Sequence, residues 1–404
     1  MADMLSIMDA AIKITRTVKI PDLLKIERYR RLPELGPRIL FFSGGTALRS
    51  LSQQLINYTY NSIHLVTPFD YGGSSRKLRD AFNMISVGDL RNRLMALADQ
   101  SVKGNPLIYR LFVYRLSYHE ENPVLVQRLE RMASGEDPLI AVIPQPMRDI
   151  ICNHLKYFLR HMPSDFDLKG ANIGNLILAG GYLNSNASID AIIYIFSRLV
   201  EARGIVKPLL DELLHLAAEL EDGTLIIGQH LLTGKEVPHI ACSVKRIFIT
   251  QSLDDPEPVH ARINDDIKNL IREADLICYP MGSFYSSIVA NLIPDGVEEA
   301  VAANICPKVY IPNTGPDPEQ NGMDLAQSVA TLLQCLKKDT PGIDNVDLLN
   351  YVIIDSKNAR YPYAIDHDRI RDLGVEIIDT KLVTHGTFPY IDSASLIDVL
   401  LSLT

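Results

Sequence analysis

The sequence predicts an α/β protein with a doubly wound, mainly parallel sheet, a helical insertion and a small antiparallel hairpin appendage. Short, almost wholly apolar runs recur along the chain, as is typical of strands that are buried on both faces. Helical patterns separate these runs, and the first two runs enclose a glycine turn and a helix, which makes a βαβ unit. Of the 404 residues, 47% are hydrophobic and 22% are charged, so there is enough apolar mass for a large core.

The predicted elements begin with a strand at 38–42, a glycine turn at 43–46 and a helix with leucines on one face. The Asp222-Gly223 pair, which lies between two strand-like runs, is a hairpin signal. The other predicted elements are a strand at 62–67, a mainly helical region at 76–160, two helices at 172–202, the hairpin strands at 213–220 and 224–231, a strand at 244–250, a helix at 262–272, and strands at 275–279, 308–312, 351–354 and 376–378.

We expect this order of elements to divide the chain into three parts. Residues 1–37 are predicted to form a helical N-terminal extension that serves as a packing or oligomer arm. Residues 38–340 are predicted to form the core, with the helical insertion at about 100–170 and the β-hairpin at about 205–250. Residues 341–404 are predicted to complete the core with further α/β structure.

The charge and cysteine patterns argue against several classes of protein. The chain has 40 Lys and Arg against 49 Asp and Glu, a net charge of −9, whereas a general nucleic-acid binder needs a basic surface. The apolar runs are too short to span a membrane, and the first residues lack the pattern of a signal peptide. Five scattered cysteines without a C-x-x-C pair are typical of a reduced compartment. We therefore expect a cytoplasmic protein that binds neither nucleic acid nor membrane.

The first candidate site is the turn Ser43-Gly44-Gly45-Thr46, which ends the first predicted strand. Glycines allow positive φ angles and let backbone N–H groups approach a ligand closely. The start of the following helix attracts phosphate through its unpaired N–H groups and partial positive charge. Glycine turns are common before helices, but in open α/β sheets ligands bind beyond the carboxyl ends of the strands. We therefore interpret this turn as part of a phosphate-binding site.

A second candidate loop, Asp70-Tyr71-Gly72-Gly73-Ser74-Ser75-Arg76, follows the second predicted strand. Its backbone amides and hydroxyls suit phosphate oxygens, and Arg76 supplies positive charge. Asp70 is a candidate magnesium ligand or general base. The alternative is a solvated turn in which Ser74 or Ser75 caps the next helix. The density of phosphate-type groups favours the ligand site.

Three further glycine turns carry polar side chains. In the turn that begins at Gly88, helix capping by Asp89 is as good an explanation as ligand binding. The turn that begins at Gly282 follows the predicted strand at 275–279 and is another candidate wall of the cleft. These turns are Gly88-Asp89-Leu90-Arg91-Asn92, Asn172-Ile173-Gly174-Asn175 and Gly282-Ser283-Phe284-Tyr285-Ser286-Ser287.

Several familiar cofactor motifs are missing from the sequence. Gly223 and Gly228 have the glycine spacing of a P-loop, but Gln229 stands where the lysine must be. The sequence also contains neither the G-x-G-x-x-G dinucleotide fingerprint nor an H-E-x-x-H zinc motif. We therefore expect no organic cofactor.

The five glycine loops, in this order, resemble the CofD-like family, which includes 2-phospho-L-lactate transferase and the YvcK-like proteins that bind UDP-sugars. The family pattern is G-G-T-G, D-D-G-G-S-S, G-D-[IL]-R-N, G-N-L-x-L-A and a final G-[PS]-x-S-x-x-T-S-type loop. The stretch 218–224 also resembles the YvcK-type hairpin, and the loop sequences are closer to those of the YvcK-like branch. The matching segments here are Gly44-Gly45-Thr46-Ala47, Asp70-Tyr71-Gly72-Gly73-Ser74-Ser75, Gly88-Asp89-Leu90-Arg91-Asn92, Gly174-Asn175-Leu176-Ile177-Leu178-Ala179 and Gly282-Ser283-Phe284-Tyr285-Ser286-Ser287.

The resemblance implies a Rossmann-like core, a homodimer, and a cleft for a nucleotide diphosphate or nucleotide-sugar. In the transferase branch, an acceptor alcohol attacks the phosphorus of a nucleotide-linked phospholactate, and magnesium assists. On this chain, the resemblance implies Asp70 as the base or magnesium ligand, and Asn92 and Asn175 as residues that order the loops or meet the sugar. Tyr71 replaces the second acid of the family loop, and Ala47 replaces the last glycine of the first turn.

Two functions are therefore expected. The first is a nucleotide-diphosphate-binding phospho-group transferase that resembles 2-phospho-L-lactate transferase. The alternative is a non-catalytic, UDP-sugar-binding regulator of the YvcK type, and the loss of the second acid at Tyr71 motivates it.

Overall fold

The computed structural model describes residues 17–101, 104–234, 242–338, 340 and 342–404, so residues 1–16 of the predicted N-terminal extension lie outside it. The strands are β1 (Ile39–Ser43), β2 (Ile63–Val66), β3 (Ile205–Pro208), β4 (His215–Leu220), β5 (Leu225–Ile227), β6 (Val244–Thr250), β7 (Leu276–Tyr279), β8 (Lys308–Tyr310), β9 (Tyr351–Ile354) and β10 (Glu376–Asp379). The helices are α1 (Leu23–Arg31), α2 (Arg49–Leu55), α3 (Gly73–Phe82), α4 (Gly88–Leu97), α5 (Pro106–Val113), α6 (Asn122–Ser134), α7 (Pro138–Ala141), α8 (Met147–His161), α9 (Ile173–Asn184), α10 (Ile189–Leu199), α11 (Gln229–Leu232), α12 (Asp265–Arg272), α13 (Val297–Ala303), α14 (Leu325–Lys337), α15 (His367–Asp372) and α16 (Ser393–Leu403).

The strands form two sheets. The larger is a seven-stranded parallel sheet with the order β10-β9-β8-β7-β1-β2-β3, and the smaller is a three-stranded antiparallel sheet with the order β5-β4-β6. The strands that follow β1 are added first on one side of it and then, from β7 onward, on the other side. A sheet of this order has a crevice at the carboxyl ends of its two central strands, β1 and β7. The predicted doubly wound sheet with a small antiparallel appendage is confirmed.

Strand β1 illustrates why an apolar run predicts a central strand. All five of its residues are buried, and successive side chains point to opposite faces of the sheet. Phe42 packs in a core with residues of α12, α13, α14 and the small sheet, whereas Phe41 packs in a second core with α2 and α16. Burial of each phenylalanine contributes roughly 1.5–3 kcal/mol. The turn after β1 therefore starts from a strand that is fixed on both faces.

A third core belongs to the helices from α4 to α10, which include the predicted helical insertion. This helical layer meets the sheet through Val66 of β2 and Val206 of β3. On the opposite face, Ile26 of α1 lies in the same core as Leu396 of α16. None of the described helices combines the length and the apolar composition that a bilayer crossing requires.

Two segments near the predicted hairpin differ from the expectation. The expected hairpin region began at about 205, but Ile205–Pro208 forms β3, which pairs in parallel with β2 at the edge of the main sheet. A lysine and a proline in these four residues hide the strand pattern, although proline is tolerated on an edge strand. The strand predicted at 224–231 ends at Ile227, because Gly228, with a φ of +108°, turns the chain into α11.

Candidate functional site

The turn after β1 has the backbone shape that its glycines predict. Gly45 has a φ of +45°, in the left-handed region where a side chain is strained. A Cβ built on Gly45 would meet no atom of the described chain within 4 Å, and the same holds for Gly73 in the second loop, with a φ of +50°. Thr46, the last residue of the first turn, is exposed. Both glycines therefore border space that a ligand can occupy.

The turns after β1 and β7 contact each other. A Cβ on Gly44 would lie 2.8 Å from the Oγ of Ser287, so a side chain at position 44 would displace this serine. The side-chain Nδ2 of Asn291 donates to the carbonyl oxygens of Ser43 at 3.1 Å and of Ser287 at 2.7 Å. These bonds tie together two turns that are more than 200 residues apart in the sequence. The first and last predicted loops thus meet at the β1–β7 crevice.

The start of α4 also reaches the first turn. The backbone N–H of Gly45 donates to the Oδ2 of Asp89 at 2.8 Å, and hydrogen bonds to a charged acceptor are stronger than neutral ones. The N-cap of α4 is Val87, and Asp89 lies within the first helical turn. Asp89 therefore joins two segments instead of capping its own helix. Asn92, one helical turn further on, accepts a hydrogen bond from Arg91.

The second loop packs against the start of α4. Asp70 accepts long hydrogen bonds from the N–H of Gly72 at 3.3 Å and from the hydroxyl of Ser86 at 3.4 Å. A Cβ on Gly88 would collide with the Oγ of Ser75 and would lie 3.2 Å from the Oδ2 of Asp70. Glycine at position 88 therefore allows α4 to begin directly beside this loop.

The start of α9 joins the same group of loops. The side chain of Asn172 caps α9 by accepting from the N–H of Asn175 at 3.1 Å. The Nδ2 of Asn175, a residue that is 1% exposed, donates to the Oγ of Ser74 at 3.1 Å. Segments around residues 45, 74, 89, 175 and 287 therefore lie together at the carboxyl edge of the sheet.

Ser286 holds the β7 loop in place. Its hydroxyl donates to the Oε1 of Glu319 at 2.5 Å, and its N–H donates to the Oε2 at 2.8 Å, as does the N–H of Tyr285. The loop forms a π-helical turn at Phe284–Ile288 that buries Ser286 completely. Burial, reinforced by the charge of Asp317, raises the pKa of Glu319 to about 7. The polar atoms of Ser286 are therefore engaged within the protein, in contrast to the ligand-binding role expected for it.

The loop after β8 supplies residues that the sequence analysis missed. Asn313 accepts from the N–H of Gly282 at 3.0 Å and donates to its carbonyl oxygen at 2.7 Å. Asp317 accepts from the N–H of Phe284 at 2.8 Å. The available signal was the run Asn-Thr-Gly-Pro-Asp-Pro-Glu, which begins at Asn313, three residues after β8 ends. Polar groups of this loop fix the backbone of the β7 loop.

Tyr71 and Arg76 of the second loop face the small antiparallel sheet. The hydroxyl of Tyr71 donates to Asp80, and the ring packs beside His215 and His230 at centroid distances of 5.6 and 5.3 Å. The Nε of Arg76 lies 3.7 Å from the Oδ2 of Asp80, and its guanidinium lies over the Tyr71 ring. Desolvation and the nearby Arg79 lower the pKa of His215 to about 4. Arg76, which was predicted to bind phosphate, is thus paired with a carboxylate.

A cavity of about 670 Å³ opens beside the β1–β7 crevice. It lies between the start of α2, the β7 and β8 loops, and the C-terminal segment 386–393. Of the predicted site residues, Gly282 and Ser283 line this cavity, and the others lie outside its lining. Residues that line the cavity include Ala47, Gly282, Ser283, Asn313 and Tyr390.

The family resemblance implies a magnesium ion, which carboxylates of the site would have to hold. Within the described ranges, no group of three His, Cys, Asp or Glu side chains is placed to hold a metal ion. Magnesium is often held by one or two carboxylates together with substrate phosphates. The long hydrogen bonds to Asp70 leave acceptor capacity on its two oxygens. Asp70 therefore fits a magnesium ion that is shared with ligand phosphates.

A solved structure has the same fold. The chain resembles the crystal structure of a UPF0052 family protein from Bacillus halodurans, with a TM-score of 0.66 and 23% sequence identity. The match covers 91% of this chain and 99% of that one. At this identity, the likeness shows the fold alone.

Sequence comparisons identify the family. The chain is 28% identical over 355 residues to the gluconeogenesis factor of Bacillus subtilis. This alignment covers 86% of the chain and 92% of the relative. It is 25% identical over 383 residues to a putative gluconeogenesis factor of Thermoanaerobacterium thermosulfurigenes. That alignment covers 91% of the chain and 97% of the relative. The model of the family described as 2-phospho-L-lactate transferase CofD matches residues 39–383. Because this match spans most of the chain, the chain belongs to the CofD family.

Proposed function

We propose that the chain binds a nucleotide diphosphate or a nucleotide-sugar, with the pyrophosphate at the place where the turns after β1 and β7 meet. The observation that carries this proposal is the contact between Gly44 and Ser287, which lies at the crevice where open α/β sheets bind ligands. Glycine lets the backbone approach a ligand closely, and a Cβ on Gly45 would meet no described atom within 4 Å.

The nucleoside half of the ligand fits the cavity between the β7 loop, the β8 loop and segment 386–393. Its volume of about 670 Å³ is within the usual range for small-molecule sites. Tyr390 lines the cavity and is 70% exposed, so its ring is available to stack on a nucleobase. Ser283, a residue of the β7 loop, also lines the cavity.

Within this proposal, a regulator of the YvcK type is favoured over a transferase. Tyr71 occupies the position of the family's second acid, and its hydroxyl donates to Asp80 on the side of the small sheet. A second carboxylate ligand for magnesium is therefore absent from this position of the sequence. The relatives' name, gluconeogenesis factor, supports a role in the control of carbon metabolism.

A phospho-group transferase is the second candidate, and the retained Asp70 favours it. Asp70 would hold magnesium together with the ligand phosphates, and the ion would neutralise phosphate charge. Asp70→Asn should lower turnover by orders of magnitude and leave folding intact. The exposed Asp211→Asn is the control. Equal turnover in both variants would remove Asp70 from the mechanism.

A thermal-shift panel tests ligand binding. UDP-sugars, GDP, ATP and NAD would be compared with and without magnesium, and at a ligand concentration of 100 times Kd we expect stabilisation by about 2.7 kcal/mol. Binding without release of nucleotide, when acceptor alcohols and magnesium are present, would favour the regulator. Release of nucleotide monophosphate would favour the transferase. No stabilisation at millimolar ligand would contradict the proposal.

We also propose a homodimer, as the family resemblance implies. Sedimentation velocity at micromolar protein should give one species with twice the mass of the chain. A single species of the chain mass would contradict this part of the proposal.

A further inference from the structure

The side chain of Arg91 is a buried cation without a matching carboxylate. Arg91 is 6% exposed, and its Nη1 donates only weakly to the carbonyl oxygen of Phe112 at 3.4 Å. Nη2 donates to the neutral side chain of Asn92. Among the residues that the structure describes, Nε has no hydrogen-bond partner, and the nearby carboxylate of Asp89 acts on the guanidinium only electrostatically. Because an uncompensated buried charge is strongly destabilising, this site calls for an anion.

The surroundings of Arg91 add further positive charge. Arg115 and Arg49 are exposed and act electrostatically on Arg91. Burial, together with these two arginines, lowers the pKa of Arg91 to about 10, whereas Asp89 acts in the opposite direction. Asp89 is already bonded to the N–H of Gly45. Arg115 forms a β-bridge with Asn172, the N-cap residue of α9, and Arg49 begins α2, which packs against α4.

Helix starts converge on the same place. A Cβ on Gly174, in the first turn of α9, would lie 2.9 Å from the Cδ of Arg91. The start of α9 is joined to α3 through Asn175 and Ser74, and α3 packs against the start of α4. Each helix N-terminus carries a partial positive charge. The Oδ1 of Asn175 is buried and has no hydrogen-bond partner among the described residues.

We propose that Arg91, together with Arg115 and Arg49, forms an anion subsite beside the pyrophosphate position, for a phosphate or carboxylate group carried by the ligand. The identity of the ligand rests on the proposed function, whereas the anion site rests on the contacts of Arg91. A planar guanidinium that is buried at the start of α9 suits bidentate binding of such a group. The site recognises the part of the ligand that lies beyond the nucleotide.

Inorganic phosphate is the first probe of this subsite. Phosphate binding would be measured by titration calorimetry, in sodium chloride of matched ionic strength, on the wild type and on Arg49→Gln/Arg115→Gln. Both substituted residues are exposed, so the variant should fold. The control is Arg148→Gln, because the Nη1 of Arg148 donates to a backbone carbonyl, as that of Arg115 does. We expect the double variant to weaken phosphate binding at least tenfold and the control to leave it unchanged.

A second arm separates this inference from the proposed function. UDP-glucuronate and UDP-glucose differ by one carboxylate, and we expect the wild type to prefer the former about tenfold and the double variant to lose this preference. Equal binding of the two, or phosphate binding that the double variant retains, would overturn the subsite. If the protein binds phosphate but binds no nucleotide, the subsite is supported and the proposed function is contradicted. Arg91→Lys, which keeps the charge but loses the planar fork, should weaken phosphate binding and raise its salt sensitivity.

Discussion

The carboxylate of Asp89 binds the backbone N–H of Gly45 at 2.8 Å, and this bond joins the turn after β1 to the start of α4. The two residues are 44 positions apart in the sequence. Gly45 has a positive φ, and its N–H points towards the side chain of Asp89. The bond fixes the orientation of a turn that borders the proposed ligand.

Removal of the Asp89 carboxylate should therefore destabilise the protein. We expect Asp89→Ala to lower the free energy of unfolding by about 1.5–3 kcal/mol, the usual contribution of a hydrogen bond to a charged group. Asp89→Asn keeps an acceptor for the N–H of Gly45 and should lose less. Urea denaturation of both variants measures the difference. Equal losses would show that this hydrogen bond does not stabilise the turn.

The buried Glu319 predicts a dependence of stability on pH. Its pKa in the folded protein is raised to about 7 from the ordinary 4.5, so the folded state retains a proton that the unfolded state releases. The stability that this proton provides is fully present below the unfolded pKa and is lost as pH rises through about 7.

The substitution Glu319→Gln tests this dependence, because glutamine keeps the shape of the side chain and cannot ionise. Relative to the variant, the wild type should lose roughly 2–3 kcal/mol of unfolding free energy between about pH 5 and about pH 8. Urea denaturation across this range measures it, with the exposed Glu212→Gln as the control. Parallel pH profiles for wild type and Glu319→Gln would refute the prediction.

Tyr390 should contribute to nucleotide affinity without contributing to stability. Its side chain is 70% exposed, so Tyr390→Ala should unfold at the same temperature as the wild type. Loss of base stacking should cost about 1–3 kcal/mol of binding free energy. The matched control is Tyr194→Ala on α10, which is 62% exposed and lies outside the cavity. An unchanged nucleotide affinity in Tyr390→Ala would show that the base does not stack on Tyr390.

Local sequence patterns predicted the strands and the glycine turns well, because both depend on neighbouring residues. The run that became β1 is apolar over its whole length, and both faces of the strand are buried. The meeting of Gly44 with Ser287 followed from the topology, since parallel strands end at one edge of the sheet. The short edge strand β3 was missed because its lysine and proline obscure the strand pattern.

Side-chain partners that are distant in sequence were less predictable. A hydroxyl-rich loop does not reveal that Ser286 faces a buried Glu319, because the π-helical turn at Phe284–Ile288 determines which serine points inward. Arg91 was identified within a loop motif, but its burial depends on the start of α9, more than 80 residues later. Such pairings arise from tertiary packing and leave no periodic signal in the chain.

The central claim is that the turn after β1 binds a pyrophosphate, and a pair of glycine variants tests this claim most directly. Gly45 and Gly374 both have a positive φ, and a Cβ at either position would meet no described atom within 4 Å. Gly45→Ala and Gly374→Ala should therefore suffer similar backbone strain, whereas position 45 alone borders the proposed ligand. In calorimetric titrations with a UDP-sugar and with GDP, we predict at least a tenfold weaker Kd for Gly45→Ala and a wild-type Kd for Gly374→Ala. Equal affinities in the two variants, or no binding to the wild type, would contradict the account.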